Sequence, residues 1–269
     1  MPEAEFVERV IAAVRAKPKY AQVDEGFVRA LSVQECGKDR SFKEAVKQVC
    51  GRLHQTGSAY FRNAPDYPAL AREIEGLPPN ARHTETLAFC RRVMALHAST
   101  AERLPILETF YKETLADIAP LHSVLDLACG FNPLAAGWMQ LAANARYIGL
   151  DIFANMTALM QQFLLHTGFA AEISLGDISQ VTEFPKTQLA FILKTLPCLE
   201  QAYTGISARL LQRIPAEHLL ITYPIRSLGG RAKGMRQTYA AQFTKLSESQ
   251  SWQVKRFDFE SELAFLISR

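Results

Sequence analysis

The chain has 269 residues, of which 48% are apolar and 21% charged, and it contains 14 glycines and 13 prolines. This composition is that of an ordinary globular protein, and it excludes a disordered or collagen-like chain. No stretch of about 18 uncharged apolar residues is present, which argues against a membrane-spanning helix. The N-terminus, MPEAEFVERV, has three acids in its first eight residues and no basic segment, so it does not resemble a signal peptide. We therefore expect a soluble cytoplasmic protein of one or two domains.

The five cysteines are scattered along the chain, and none belongs to a C-x-x-C pair. This spacing supports neither a zinc site nor a disulfide framework. We expect no metal, and we interpret all the cysteines except Cys129 as small buried apolar residues of a reducing compartment.

The formal net charge is only +3, but the cations are unevenly distributed. No acidic residue lies between Glu217 and Glu248, and this window contains Arg226, Arg231, Lys233, Arg236 and Lys245. Such a run is often only a solvated face, and it is also typical of a surface that binds nucleic acid.

The first 115 or so residues are predicted to be helical. Apolar residues recur with helical spacing in EFVERVIAAVRA, which Pro18 ends, and in EGFVRALSVQEC and SFKEAVKQVCGRLHQ. Ser41 and Glu44 form a capping box at the start of the third segment. The same spacing recurs in YPALAREIEG and TETLAFCRRVMALHAS, and no segment here alternates as a strand does. We expect residues 1–115 to form a helical domain.

From Pro120 onward, short apolar runs alternate with segments long enough for helices. The runs are HSVLDLAC, ARYIGLDI, AAEISLGD, TQLAFILKT and EHLLITYP, and the helical segments include PLAAGWMQLAA and ANMTALMQQFLLHTG. This alternation is typical of a parallel sheet covered on both faces. After a helix near 235–249, WQVKRFDFE and SELAFLISR predict a terminal hairpin. For residues 116–269 we expect an α/β Rossmann-like sheet of seven strands with an antiparallel last strand, as in class I methyltransferases.

Acidic residues lie at the ends of three successive predicted strands: Asp126, Asp151 and Asp177. Ligands of open α/β sheets bind at this edge, and Asp151 follows Gly130 by 21 residues, where an acid can bind both ribose hydroxyls. Asp177 would face an adenine amino group. Gly130 is followed by Phe-Asn-Pro, so the G-x-G-x-x-G pattern of dinucleotide sites is missing, which favours S-adenosylmethionine. The alternative is three aspartates that only cap helices.

Several segments together resemble a known family: LHASTAERL, LDLACGFNPLA, ILKTLPCLE, YPIRSLGGRAKGM and GRLHQTGSAY. They are similar to the aminoglycoside-resistance 16S ribosomal RNA methyltransferases, which modify N7 of guanine 1405 in the decoding site. The resemblance extends from about residue 15 to the C-terminus. The HAST-x-ER and SLGGR-x-KGM segments are its most specific part, and the sister group that methylates the adjacent adenine lacks them. The segment APDYPALAREIEGLPPNARH departs from the family pattern.

The resemblance implies S-adenosylmethionine as cofactor and a pocket partly lined by HASTAER. Read without the family, Ser99 and Glu102 would simply be a capping box. Within the family, Arg103 would bind the methionine carboxylate. Lys194 is either a salt-bridged lysine at a strand end or a residue placed over the cofactor. The implied cofactor-binding residues are Tyr60, His97, Ala98, Ser99, Arg103, Ala128, Gly130, Asp151, Asp177, Ile178, Leu193 and Gln201.

The resemblance also implies a partner, 16S rRNA in the assembled 30S subunit. We expect a monomer, because nothing in the sequence indicates an obligate dimer. Guanine N7 carries a lone pair and no proton, so we expect positioning rather than a general base, with Lys194 and Tyr223 as weak catalytic candidates. The base must leave its helix to react, and Tyr223 or, less strongly, Phe131 would line its pocket. We expect RNA contacts from cations in both halves of the chain: Lys17, Lys19, Lys43, Lys47, Arg226, Arg231, Lys233 and Arg236.

Three other functions remain open. A small-molecule methyltransferase would use the helical domain as a lid, but it has no need of the acid-free basic window. Methylation of the neighbouring decoding-site adenine is the second. A catalytically silent RNA-binding factor is the third, and the intact spacing of the strand-end acids argues against it.

Overall fold

The structure is a computed structural model that describes residues 3–38, 40–57, 61, 64–226, 234–248 and 250–269. Its strands are β1 (Leu121–Leu127), β2 (Leu141–Asp151), β3 (Ala170–Leu175), β4 (Thr187–Leu193), β5 (Ala216–Pro224), β6 (Gln253–Asp258) and β7 (Glu262–Ser268). They form one sheet in the order β3-β2-β1-β4-β5-β7-β6. The first five strands are parallel, and β7 lies antiparallel between β5 and β6. The predicted seven-stranded class I methyltransferase sheet is confirmed.

Helices cover both faces of this sheet and make up the N-terminal part. They are α1 (Glu3–Arg15), α2 (Glu25–Cys36), α3 (Phe42–Thr56), α4 (Tyr67–Glu75), α5 (Thr84–Met94), α6 (Ala98–Ala101), α7 (Leu107–Thr114), α8 (Ala154–His166), α9 (Leu196–Ala202), α10 (Ile206–Arg213) and α11 (Met235–Ser247). The capping box predicted at Ser41 and Glu44 is present at the start of α3. The alternative box at Ser99 and Glu102 is not, because α6 is capped by His97 and Ser99 lies inside the helix.

The prediction of an α-helix between β1 and β2 is wrong, because the segment forms a 3₁₀ helix. Residues Asn132–Trp138 form a 3₁₀ helix, and β2 begins at Leu141, inside the segment PLAAGWMQLAA. The segment packs closely at Gly137, where a Cβ atom would lie 2.4 Å from the Ala81 carbonyl oxygen. Leu141 also pairs with Leu121 at the start of β1, so the chain has room for only a short connection.

The helical half of the chain contributes to two separate cores. Helices α1–α3 enclose their own apolar core, which includes Val10, Val28, Leu31 and Val49. Helices α4, α5 and α7 share the core of one sheet face with α8, and α9–α11 cover the other face. The sheet begins at Leu121, and the described helices before it are divided between two apolar cores.

Helices α1–α3 are joined to the sheet edge by backbone contacts as well as by packing. Val23 makes an antiparallel bridge with Phe153, and the Asp24 N–H donates to the Ile152 carbonyl at 2.8 Å. Gly57 ends α3 directly against the Phe153 ring, where a Cβ atom would approach to 2.5 Å. This contact brings the end of α3 to the carboxyl end of β2.

Within the described ranges, no helix combines the length and the apolar character needed to cross a bilayer.

We expect Gly137→Ala to lower the free energy of unfolding by about 1–3 kcal/mol, because the added methyl group overpacks the contact with Ala81. Gly51→Ala is the matched control. Gly51 lies within α3, and apart from its chain neighbours and the backbone of its own helix, no atom of the described residues comes within 4 Å of an added Cβ atom. Alanine there should therefore raise the free energy of unfolding by about 0.5–1 kcal/mol. Denaturant titration measures both, and equal effects of the two substitutions would contradict the packing account.

Candidate active site

A cleft of about 740 Å³, partly open to solvent, lies at the carboxyl ends of β1, β2 and β4. This is the edge at which parallel α/β sheets bind ligands. The cleft brings together these residues predicted from the sequence: His97, Ser99, Ala128, Gly130, Asp151, Asp177, Ile178, Leu193 and Lys194.

Asp151, at the end of β2, holds the turn after β1 in place. One carboxylate oxygen accepts the Gly130 N–H at 2.9 Å, and the other accepts the Ile152 N–H at 2.7 Å. Burial raises the pKa of Asp151 to about 6, although these backbone N–H groups act to lower it. The Phe153 N–H is a third donor, at 3.3 Å, and since a carboxylate has about four acceptor positions, the ionised group still has one for a ligand hydroxyl.

The turn itself has an unusual backbone. Ala128 and Gly130 have φ angles of +53° and +51°, and a Cβ atom on Gly130 would lie 3.6 Å from the His97 ring. Positive φ is unfavourable for alanine, so neighbouring interactions must hold Ala128 in this conformation. The resulting turn presents Ala128 and Gly130 on the floor of the cleft.

Asp177 follows β3 and lies on the other side of the cleft. Its carboxylate accepts the Ser179 N–H and hydroxyl at 2.8 and 2.6 Å, and the Tyr203 hydroxyl at 2.9 Å. Ile178 and Leu193 add apolar surface beside it. An acid next to two aliphatic side chains suits an aromatic heterocycle with an exocyclic amino group.

Lys194 connects β4 to the HASTAER segment. Its ammonium donates to the Ser99 carbonyl at 3.1 Å and to the Glu102 carboxylate at 2.7 Å. Both burial and the Lys194 charge lower the pKa of His97 to about 3, so this imidazole is neutral at physiological pH. Lys194 therefore fixes one wall of the cleft as well as lining it.

Arg103 does not line the cleft. Its guanidinium is 1% exposed and forms a two-bond fork with Glu262, with Nε and Nη2 donating at 2.5 and 2.9 Å. Nη1 donates to the Asn132 side-chain oxygen at 3.1 Å. Glu262 is fully buried at the start of β7. The interaction that the sequence could not show is thus a buried ion pair between residues 159 positions apart.

The remaining predicted residues lie elsewhere. Ala98 is half-buried in α6 and does not line the cleft, and Phe131 is fully buried in the core, edge-on to His97. Gln201 and Tyr223 lie in a second cleft between α9 and α11. Tyr223 is 2% exposed, it stacks on Tyr239 with centroids 5.0 Å apart, and its hydroxyl has no hydrogen-bond partner among the described residues. Tyr60 lies outside the described residues.

The sequence missed part of the cleft wall. Phe27 of α2, together with Thr56 and Gly57 at the end of α3, lines the cleft opposite the sheet. The other unpredicted lining residues are Ile152, Phe153, Met156, Gly176, Thr195, Cys198 and Leu199. Ile152 and Phe153 directly follow Asp151, so the strand-end rule could have included them, whereas no local signal identifies Phe27.

The cations proposed for RNA contact differ in their surroundings. Lys17, Lys19, Lys43 and Lys47 are exposed on the α1–α3 part. Arg226 is exposed just after β5, and Arg236 pairs with Asp258 at 2.6 Å. Arg231 and Lys233 lie outside the described residues.

We expect Arg103→Ala to lower the free energy of unfolding by about 3–5 kcal/mol, because Glu262 would remain buried without its partner. Arg91→Ala is the control: Arg91 and Glu108 form an ion pair with side chains 41% and 73% exposed, and its removal should cost less than about 1 kcal/mol. Thermal or urea unfolding measures the stability of both variants. An Arg103→Ala protein of unchanged stability that binds ligand more weakly would show that Arg103 acts as the carboxylate clamp alone.

Comparison with known proteins places the chain in a family. A family model described as Ribosomal RNA methyltransferase (FmrO) matches residues 16–266. The chain is 31% identical over 265 residues to the 16S rRNA (guanine(1405)-N(7))-methyltransferase of Micromonospora echinospora, covering 98% of this chain and 97% of that protein. It is 32% identical over 270 residues to the protein of the same name from Frankia casuarinae, covering 99% and 95%.

A solved structure shows the same fold over almost the whole chain. The 16S rRNA methyltransferase RmtF, in complex with S-adenosyl-L-homocysteine, is 29% identical with a TM-score of 0.82, and 98% of each chain is covered. Sequence family, strand order and length therefore agree, and the chain belongs to the FmrO family of ribosomal RNA methyltransferases.

Proposed function

We propose that this protein transfers a methyl group from S-adenosylmethionine to N7 of guanine 1405 of 16S rRNA, and that this modification confers aminoglycoside resistance. Its substrate is the assembled 30S subunit, and it acts as a cytoplasmic monomer. The observation that carries the proposal is near-full-length similarity to relatives that are named for this reaction. The cleft supports it, because its acids and apolar walls suit an adenosyl group.

The residues of the cleft fit S-adenosylmethionine. Asp151 would accept the ribose hydroxyls, and Asp177 with Ile178 would hold the adenine. When bound, the cofactor supplies an electrophilic methyl group. Glu262 and Asn132 use three of the five N–H groups of Arg103, so a contact from Arg103 to the methionine carboxylate would use the other two.

The reaction needs alignment rather than proton transfer. Guanine N7 is a lone-pair nucleophile, so no residue has to remove a proton before the methyl group moves. Neutral His97 and the Ala128–Gly130 turn shape the cleft without providing a base. The work of the protein is to hold N7 in line with the sulfur–methyl bond and to exclude water.

The exposed lysines of the α1–α3 part would contact folded RNA. Lys43 and Lys47 lie one helical turn apart on α3, and Lys17 and Lys19 follow α1. Phosphate contacts of this kind position a protein on RNA without reading its sequence. Arg226, Arg231, Lys233 and Arg236 would act nearer the target base.

The direct test is methyl transfer to 30S subunits with labelled S-adenosylmethionine, followed by mapping of the modified nucleotide. Label at N7 of guanine 1405 supports the proposal, and label at the adjacent decoding-site adenine assigns the sister activity. Transfer to small molecules but not to 30S subunits overturns it. An isolated decoding-site hairpin should react much more slowly than the subunit.

We expect Asp151→Asn to weaken S-adenosylmethionine binding by about 1.5–3 kcal/mol, because the amide replaces a charged acceptor of the ribose hydroxyls. With a pKa of about 6, Asp151 becomes protonated as the pH falls through that value. Wild-type affinity should therefore decline below about pH 6. Because asparagine does not titrate, the ratio of wild-type to variant affinity should fall over the same pH range. Calorimetry at several pH values measures this, and a constant ratio would exclude Asp151 from the ribose site.

We expect neutralising either Lys17 with Lys19 or Lys43 with Lys47 to glutamine to weaken 30S binding and flatten its salt dependence. The removal of one phosphate interaction lowers the salt slope by about one or less. The matched control replaces Lys112 and Lys186, two exposed lysines elsewhere on the surface. All three variants should keep wild-type cofactor affinity. Normal 30S binding by both test pairs across a salt series would exclude α1–α3 as the docking surface.

A further inference from the structure

A chain of buried hydrogen bonds lies directly beneath the turn that floors the cofactor cleft. Its centre is Asn132, which is 3% exposed and follows Gly130 and Phe131. The Asn132 amide nitrogen donates to Asp126 at 2.9 Å, and the Tyr147 hydroxyl donates to the same carboxylate oxygen at 2.5 Å. Asp126 lies one residue before the end of β1 and does not line the cleft, whereas Asp151 ends β2 and lines it.

The amide oxygen of Asn132 is held from the opposite side. It accepts the Tyr111 hydroxyl at 2.5 Å and Nη1 of Arg103 at 3.1 Å. Arg103 in turn is fixed by its fork to Glu262. The side chain of Asn132 thus donates to Asp126 on β1 and accepts from Tyr111 on α7. Through Arg103 it is also connected to Glu262 on β7.

We propose that Asn132 is a positioning residue: its carboxamide, fixed between Asp126 and the Arg103–Glu262 ion pair, holds the Ala128–Gly130 turn in its cofactor-binding conformation. Asn132 does not line the cleft, so it acts through the turn and not by contact with the cofactor. This inference rests on one part of the proposed function, the binding of S-adenosylmethionine in the cleft. It does not depend on the identity of the RNA substrate.

The turn needs such a tether because its own backbone is unfavourable. Two residues at positive φ, one of them alanine, would relax if only local bonds held them. The Gly130 N–H bond to Asp151 and the Cys129 N–H bond to the Leu150 carbonyl at 3.0 Å tie the turn to β2, and the Asn132 N–H donates to the Cys129 carbonyl at 2.8 Å. The side chain of Asn132 adds connections to Asp126 on β1, to Tyr111 on α7 and to Arg103.

The test uses Asn132→Asp, which keeps the shape of the side chain and replaces its donor group by a carboxyl group. Two carboxyl groups at this separation share one proton in acid, because the ionisation of one opposes that of the other. The shared proton restores the bond to Asp126. In alkali both groups ionise and repel, and the turn is displaced.

The measured quantity is the ratio of variant to wild-type Kd for S-adenosylhomocysteine, by calorimetry. We expect a ratio below about threefold near pH 5.5 and above about tenfold near pH 8.5, where tenfold corresponds to about 1.4 kcal/mol. The charged and titratable groups around the pair are Arg103, Glu262, Tyr111, Tyr147, Cys129 and Asp151. All are present in both proteins, so their own titration largely cancels in the ratio.

Tyr147→Phe is the matched control. It removes the other hydrogen bond to the same Asp126 oxygen but leaves the Asn132 amide in place, so stability should fall and ligand affinity should stay within about threefold of wild type. If Asn132→Asp does not fold, Asn132→Ser provides the second variant, with affinity lowered at least about tenfold at both pH values.

Two results would overturn the proposal: a ratio for Asn132→Asp that does not change with pH, or a Tyr147→Phe protein that loses as much affinity as the Asn132 variants. In the second case, ligand affinity would merely follow stability. If the wild-type protein itself does not bind S-adenosylhomocysteine, the proposed function fails, and this outcome is separate from both.

Discussion

The buried ion pair between Arg103 and Glu262 determines how the carboxyl edge of the sheet is arranged. Removing a charge from water costs several kcal/mol, and the cost is offset only if each charge keeps its partners. Here the partners come from distant parts of the chain: the end of the HASTAER segment, the start of β7 and the turn after β1. These three segments must therefore adopt their positions together, and the cleft takes its shape from that requirement.

The features that could be predicted from the sequence are those with a local cause. Strand ends are visible as apolar runs followed by an acid, which is why the prediction of Asp151 and Asp177 as cleft residues agrees with the structure. The capping box at Ser41 and Glu44 lies within four residues and is present as predicted. The parallel strands and the terminal hairpin follow from the alternation of elements, since parallel strands need crossover connections and a hairpin does not.

The features that could not be predicted depend on contacts between distant segments. Asp126 has the same local pattern as Asp151, yet it faces the interior, because Tyr147 and Asn132 provide it with donors there. Arg103 has the sequence context of a ligand-binding residue, and only the fold reveals Glu262 beside it. Gly137, in the 3₁₀ helix after β1, likewise packs against Ala81, a residue more than fifty positions away that leaves no space for a side chain there.

Phe27, Thr56 and Gly57 close the cleft from a body whose apolar core is separate from that of the sheet. Any ligand in the cleft consequently contacts both helices α1–α3 and the sheet. By thermodynamic linkage, its binding free energy stabilises the association of these two parts. The relation is reciprocal: whatever fixes helices α1–α3 against the sheet also completes the cofactor site. A methyltransferase sheet separated from its first 57 residues would lack one wall of its own active site.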